Sequence, residues 1–329
     1  MFRNLQAMLF ALLLVSCANQ KSNNSPEYKR DLKVACSSKD RAIPLVGEAE
    51  TITIATVGDF KSRIDTGAKT VSVNATEIKK FVYKGEDWVS FNLKADDGTS
   101  KKIKKPIQKT SKIKSASNSH DRYFVLLDFI VEGQKVEALA NLNDRSRMEY
   151  KLLIGRNLLR GRFNVDSGSI NLINKRKNLA QDVYQSADCS KGTKLEEIGT
   201  LERITIDGNY SLKGRIDTGA TRTSIHAFNI KKIKKNGKDY LRFKTHNDKG
   251  KIITVEKKYL GQIPVTSATS DKETMRYLVS YKLGLEQNTK SYKVSLVDRR
   301  GLKFKLLIGR DFINNMYEVD TSKTYIYKK

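Results

Sequence analysis

The chain has 329 residues, enough for one large or two small domains, and 39% of them are hydrophobic, which is enough to pack cores of that size. Its 62 Lys and Arg against 36 Asp and Glu give a formal charge of +26, which favours anionic surroundings such as phospholipid head groups, envelope polymers or acidic proteins. No zinc-finger spacing, helix-turn-helix signal or aromatic-basic RNA motif accompanies that charge, so nucleic acid is not an expected partner.

The first element reads as an export signal. Arg3 supplies a short positive region, and Leu5–Val15 is an apolar run too short to span a bilayer. It ends in Leu14-Val15-Ser16-Cys17, a bacterial lipobox pattern. Residues 1–16 are therefore expected to be a lipoprotein signal peptide, with Cys17 lipidated and the protein held at the cell envelope through that lipid. An ordinary signal peptide with an incidental cysteine is the alternative. Ala18 and Asn19 are not the aspartate that retains lipoproteins at an inner membrane, so an outer membrane is favoured in a cell with two. Residues 17–44 are expected to be the lipidated cysteine and a polar tether.

Residues 45–175 and 196–329 then repeat one pattern, joined by a polar linker over 176–195 with a short helix expected at Leu179–Tyr184. Asp-Thr-Gly-Ala stands at Asp65–Ala68 and again at Asp217–Ala220. Lys-Leu-Leu-Ile-Gly-Arg follows at Lys151–Arg156 and Lys305–Arg310, with the glycine 90 and 92 residues after the respective aspartate. Gly85 and Gly237 lie 20 residues after the aspartates, and Gly98 and Gly250 lie 33 residues after them. These glycines sit between alternating apolar runs, as hairpin turns do. The expected fold class is all-β, with two lobes of roughly equal size that pack together and a short helix after each Gly-Arg, at Asn157–Arg160 and Asp311–Asn315. Cys36 and Cys189 precede their aspartates by 29 and 28 residues. Equivalent positions can face each other across a pseudo-twofold axis, and an exported protein meets an oxidising compartment, so a disulfide between them is expected. Two free thiols are the alternative.

Hydrolysis of an amide by water needs a base for the water and an acid for the leaving nitrogen. Two adjacent carboxylates sharing one proton supply both. Asp65 and Asp217 are the candidate pair. Thr66 and Thr218 offer hydroxyls to bridge the two turns, Gly67 and Gly219 let the turns approach closely, and Ala68 and Ala220 complete them. Ile154-Gly155-Arg156 and Ile308-Gly309-Arg310 are expected behind the turns.

These motifs resemble those of the retropepsin-type aspartic proteases. They are nearer still to a bacterial retropepsin-like endopeptidase family that carries the label "ATP-dependent zinc protease". Ser224-Ile225-His226-Ala227, Asp144-Arg145-Ser146-Arg147-Met148 and Asp298-Arg299-Arg300 match that family's order. The resemblance implies two tandem acid-protease β-barrel lobes related by a pseudo-twofold, with Asp65 and Asp217 as the catalytic dyad of an envelope-anchored aspartic endopeptidase. Duplication would supply both aspartates from one chain, so a monomer is expected. The label's zinc and ATP find no matching motif: no His-Glu-x-x-His and no Gly-x-x-x-x-Gly-Lys-Ser/Thr, so neither metal nor cofactor is expected.

Lys69 and Thr221 stand where retroviral enzymes carry an acid, so Arg156 and Arg310 need other partners. Gly98 and Gly250 are candidate flap tips, with plain hairpin turns as the alternative. His226 is a candidate substrate contact, and Asn74 holds its place in the first copy. The charge points to an acidic peptide or protein substrate, with glutamate-rich peptides the candidates. Two other functions fit the same sequence: a non-catalytic lipoprotein that binds peptides or polymers, and an enzyme whose dyad forms only on homodimerisation.

Overall fold

The computed structural model describes residues 25–114, 119–190, 194–267 and 270–327. Residues 1–24, and with them the expected signal peptide and Cys17, lie outside the described residues.

Short alternating strands build each lobe. Gly58–Ile64 buries Phe60, Ser62 and Ile64 on one side and leaves Asp59 and Lys61 exposed, which is the period of a half-buried strand. The first barrel has six strands in the order Gln134–Asn143, Val71–Asn74, Leu152–Ile154, Gly58–Ile64, Ala49–Ile54 and Ser119–Val131. The last pairs back onto the first and closes the ring. The second barrel repeats this as Asn288–Val297, Ser224–His226, Leu306–Ile308, Tyr210–Ile216, Leu201–Ile206 and Ser270–Leu285, closed where Val297's strand meets that of Leu285. Over half of the residues are in strands, arranged as two closed six-stranded barrels in tandem.

A three-stranded extension leaves each barrel. In the first lobe it is a separate sheet of Thr76–Tyr83, Glu86–Lys94 and Ser100–Pro106. In the second, Phe228–Lys235 and Lys238–His246 join the barrel through one long strand, Ile252–Ser267. The break in the first lobe falls at Pro106, which has no N–H to continue a ladder.

The lobes are joined by a four-stranded sheet to which each contributes two strands. Its order is Leu45–Gly47, Asn164–Asp166, Tyr317–Asp320 and Glu196–Gly199, and its antiparallel centre pairs Val165 with Val319. One continuous core runs through both barrels and this seam, with Phe163, Val165, Phe312, Tyr317 and Val319 fully buried. The short helices after Gly-Arg are Arg156–Leu159 and Arg310–Ile313, each beginning one residue earlier than expected because the glycine itself is the N-cap.

The tether reading of 17–44 is corrected from residue 25 onward. Ser25 caps helix Pro26–Ala35 by accepting the Tyr28 N–H, with Pro26 in its first turn. Leu32, Ala35 and Cys36 pack on Ala187, Leu179 and Tyr184 of the linker, a small cluster separate from the main core. The linker itself holds helix Gln181–Ser186, two residues later than expected, and helix Leu172–Lys177 leads into it from the first lobe. A Cys36–Cys189 disulfide joins the two segments, with Cα atoms 5.4 Å apart. Arg41 adds a two-pronged bond to Glu318 of the second lobe, at 2.8 and 2.9 Å. Apolar burial and covalent closure thus order a stretch whose composition reads as polar linker.

Candidate active site

Strands Gly58–Ile64 and Tyr210–Ile216 run towards each other and end in the two Asp-Thr-Gly-Ala turns. The turns interlock. Thr66 N–H donates to Thr218 Oγ1 at 3.0 Å and Thr218 N–H to Thr66 Oγ1 at 3.1 Å. Each hydroxyl donates onward, Thr66 Oγ1 to the Ile216 carbonyl at 2.9 Å and Thr218 Oγ1 to that of Ile64 at 2.8 Å. Both threonines are fully buried, so this reciprocal network fixes one turn against the other.

It brings the carboxylates of Asp65 and Asp217 into hydrogen-bond contact. Asp65 Oδ1 accepts from Ala68 N–H at 2.8 Å, and Asp217 Oδ1 from Ala220 N–H at 3.0 Å. Gly67 lies over Asp217 and Gly219 over Asp65, so closely that a Cβ on either would sit 2.2 or 2.5 Å from a carboxylate oxygen. Burial raises the proton affinity of both groups, and the charge of Asp65 helps push Asp217 up to about 8. The pair therefore holds on to a proton more tightly than an isolated aspartate does, and that proton belongs to the dyad rather than to either residue.

Behind the turns, Ile154 and Ile308 pair with Ile64 and Ile216, and all four are buried. Gly155 and Gly309 lie against the backbone of Thr70 and Arg222, where a Cβ would come within 2.6 and 2.5 Å. Arg156 donates to the carbonyls of Thr66 and Gly67 at 2.5 and 2.8 Å. Arg310 pairs across the lobe boundary with Glu48 at 2.8 Å and donates to Thr221 Oγ1 at 3.0 Å. Glu48 is thus the acid that the sequence motif lacked.

Two sequence expectations are corrected. Gly98 and Gly250 are not flap tips over the dyad. Asp96 N–H donates to the Asp59 carbonyl, and Lys61 N–H to the Asp96 carboxylate. This holds the Gly98 turn at the start of the strand leading to Asp65, about 20 Å along it from the carboxylate. The Gly250 turn has the matching place, with the charge of Asp248 acting on Tyr210 at the start of the strand leading to Asp217. Nor does His226 face a substrate. Its side chain has no exposed surface, stacks on His246 and Phe228 with centroids 5.2 and 5.3 Å away, and accepts the Arg299 N–H on Nδ1 at 2.9 Å.

Arg145, Arg156 and Arg299 stand in the sequence motifs, but their place around the dyad, with Arg215, emerges only from the fold. Arg145 acts electrostatically on Asp65 and Arg299 on Asp217, while Arg156 and Arg215 act on both. Arg145 and Arg299 are buried, 5% and 8% exposed, and lie 80 and 82 residues after their aspartates. Each is crowded by a second guanidinium on the long hairpin of its lobe: Arg122 against Arg145, and Arg276 against Arg299. Among the described residues none of these four forms a salt bridge. The signal was available, since Arg122 and Arg276 also keep matched spacing, 57 and 59 residues after the aspartates. A cavity of about 610 Å³ lies away from the dyad, beside the disulfide and lined by Lys39, Asp188 and Glu197 among others. Among the described residues no His, Cys, Asp and Glu cluster could hold a metal ion.

The family model for the retropepsin-like aspartic endopeptidase RimB matches residues 45–176 and again 198–329. The chain belongs to this RimB-like family. Its tandem match coincides with the two barrels, so each barrel is one RimB-like unit. A protein of Shewanella pealeana named "Probable alpha-L-glutamate ligase" is 29% identical over 36% of this chain and 26% of its own length. One of the same name from Desulfotalea psychrophila is 31% identical over 39% of this chain and 29% of its own length. The chain thus matches less than a third of those relatives. A crystallised Legionella pneumophila protein of unknown function is 32% identical, with its whole length matching 41% of this chain at a TM-score of 0.34.

Proposed function

We propose that this RimB-like protein is an aspartic endopeptidase whose two catalytic carboxylates come from one chain. In the monoprotonated dyad the ionised carboxylate takes a proton from a water molecule as that water attacks the scissile carbonyl carbon. The protonated carboxyl donates to the carbonyl oxygen. The tetrahedral adduct collapses as the amide nitrogen receives a proton and leaves, and the dyad returns to its one-proton state. The observation that carries this reading is the reciprocal threonine network, which sets two half-buried carboxylates in contact on symmetry-related turns. Burial with a like charge at contact distance is the condition that splits two carboxyl affinities into acid and base roles.

The substrate we infer is an acidic peptide, rich in glutamate. The Arg122–Arg145 and Arg276–Arg299 pairs crowd like charges beside the dyad and form no salt bridge among the described residues, which suits carboxylates brought by a substrate. Relatives named for α-L-glutamate ligation share part of this sequence, which fits the same substrate chemistry. We further propose that Cys17 carries lipid and holds the enzyme at the cell envelope, on the strength of the lipobox alone.

The test is cleavage of a quenched-fluorescent glutamate-rich peptide beside a lysine-rich control. The account expects cleavage of the first alone, and loss of about a thousandfold or more in D65N and D217N. Cleavage retained in both variants ends the dyad reading. Equal cleavage of both peptides ends the acidic-substrate reading.

A further inference from the structure

The two lobes hold their buried arginines alike in most contacts; they differ in an Arg299 Nη1 bond to Ser224 Oγ at 3.2 Å, found in the second lobe, and in the group that accepts the arginine backbone N–H. In the first, the loop after Asn143 wraps the Lys151 ammonium, which donates to the carbonyls of Arg145, Ser146 and Met148. In the second, Lys305 does the same for Arg299, Arg300 and Leu302. Arg145 Nε donates to the Tyr150 carbonyl at 3.1 Å, and Arg299 Nε to that of Phe304 at 2.9 Å. The backbone N–H of each arginine is tied to the strand that follows the catalytic turn. Arg145 N–H donates to Asn74 Oδ1 at 2.6 Å, and Arg299 N–H donates to His226 Nδ1 at 2.9 Å. Asn74 and His226 are equivalent residues of the repeat, each nine after its aspartate. An amide oxygen accepts at every pH, whereas an imidazole nitrogen accepts only while it carries no proton.

We propose that His226 is a pH-sensitive positioning residue: its neutral ring anchors Arg299 beside Asp217, and uptake of a proton on Nδ1 breaks that anchor, while the Asn74–Arg145 anchor of the other lobe persists.

Accepting on Nδ1 places the neutral ring's proton on Nε2, which has no hydrogen-bond partner among the described residues. A second proton would turn Nδ1 from acceptor to donor facing the Arg299 N–H. The alternative acceptor is already near, Asp298 Oδ1 at 3.8 Å. Asp298 is itself engaged with the N–H, Nε and Nη2 of Arg300, so turning towards the imidazolium disturbs both residues flanking Arg299. Other charged or titratable groups face the ring from the packed elements. Lys305 lies on the adjoining strand end, where its carbonyl accepts the His226 N–H, and His246 stacks from the extension. Arg300 lies over Phe228, 5.5 Å from its centroid. Burial, then Lys305 and His246, hold the proton affinity of His226 below the ordinary imidazole value, so the change falls on the acid side of about pH 6.5. The consequence for catalysis rests on the peptidase reading above; the anchoring itself does not.

Two readouts separate these. The first is the pH titration of the Arg299 backbone amide and the His226 ring by NMR in the full chain. The second is the pH profile of kcat/KM on the glutamate-rich peptide for wild type, H226N and N74H. In wild type the amide is expected to shift with the ring's own titration, and in H226N to stay flat. The acid limb of wild type should carry one more proton than that of H226N, a difference of up to about tenfold per pH unit below the His226 transition. N74H should gain such a limb in the first lobe. Should H226N not fold, the wild-type titration and N74H carry the test. If the amide titrates with the ring but no form cleaves the peptide, the anchor stands and the peptidase reading falls. An Arg299 amide that ignores the ring, a ring that never titrates before acid unfolding, or superimposed wild-type and H226N profiles overturn the proposal.

Discussion

Gly67 and Gly219 each lie where a single methyl group would strike the opposite aspartate, at 2.2 and 2.5 Å. Gly67→Ala or Gly219→Ala is therefore expected to force the turns apart and abolish cleavage, with a stability loss of about 1–3 kcal/mol by chemical denaturation. Thr66→Val leaves the Thr218 N–H buried without its acceptor and should cost about 1–3 kcal/mol, and Thr66→Ser should restore most of it. Because the two threonines share one network, the double variant T66V/T218V should cost less than the sum of the singles. The dyad sets the pH response. A carboxyl whose folded affinity is raised contributes stability below its unfolded value, and that contribution is lost as pH rises through the folded value, about 8 for Asp217. Asp217→Asn removes the group that must ionise. Its Tm advantage over wild type should be largest at pH 9 and shrink steadily as pH falls towards about 4, as scanning calorimetry would show. Wild-type cleavage should fall across the same alkaline range as the dyad loses its shared proton.

Among the elements, helices Pro26–Ala35 and Gln181–Ser186 depend on one another more than on the barrels, whereas Leu172–Lys177 is held by Glu50 and the main core. Their cluster is small, and the Cys36–Cys189 bond closes a separation of 153 residues. Replacing both cysteines by serine is expected to cost about 2–5 kcal/mol of unfolding free energy. It should first raise hydrogen exchange in residues 26–35 and 181–186 while the barrel strands stay protected. Protection lost equally throughout would contradict that order. The same contrast explains what could be read beforehand. The duplicated barrels were legible because Asp-Thr-Gly-Ala and Leu-Leu-Ile-Gly-Arg mark strand ends whose spacing the repeat preserves. The helix at Pro26–Ala35 was not, because its apolar contacts are with linker residues some 150 positions away. Gly98 and Gly250 were misread for a related reason. Glycine marks a tight turn, but which end of the barrel that turn meets depends on pairing, and the arginines beside Arg145 and Arg299 come from a different hairpin of each lobe, on the strands bearing Arg122 and Arg276. His226 drew notice as a polar residue near the motif, yet the stacked rings and the Arg299 N–H that enclose it come from three separate segments.

At the scale of the whole molecule, duplication has turned what would be a subunit interface into the interior of one chain. The seam sheet takes two strands from each lobe, and Arg41–Glu318 and Arg310–Glu48 cross it. Activity per molecule should then be unchanged by dilution, whereas a dyad assembled between chains would lose activity as dimers dissociate. The most direct measurement is the cleavage rate of the glutamate-rich peptide by D65N, by D217N and by an equimolar mixture of the two, each beside wild type. The account predicts that wild type alone cleaves and that the mixture is as inactive as its components. Activity in either single variant, or its recovery on mixing, would contradict an intramolecular pair of aspartates as the catalytic centre.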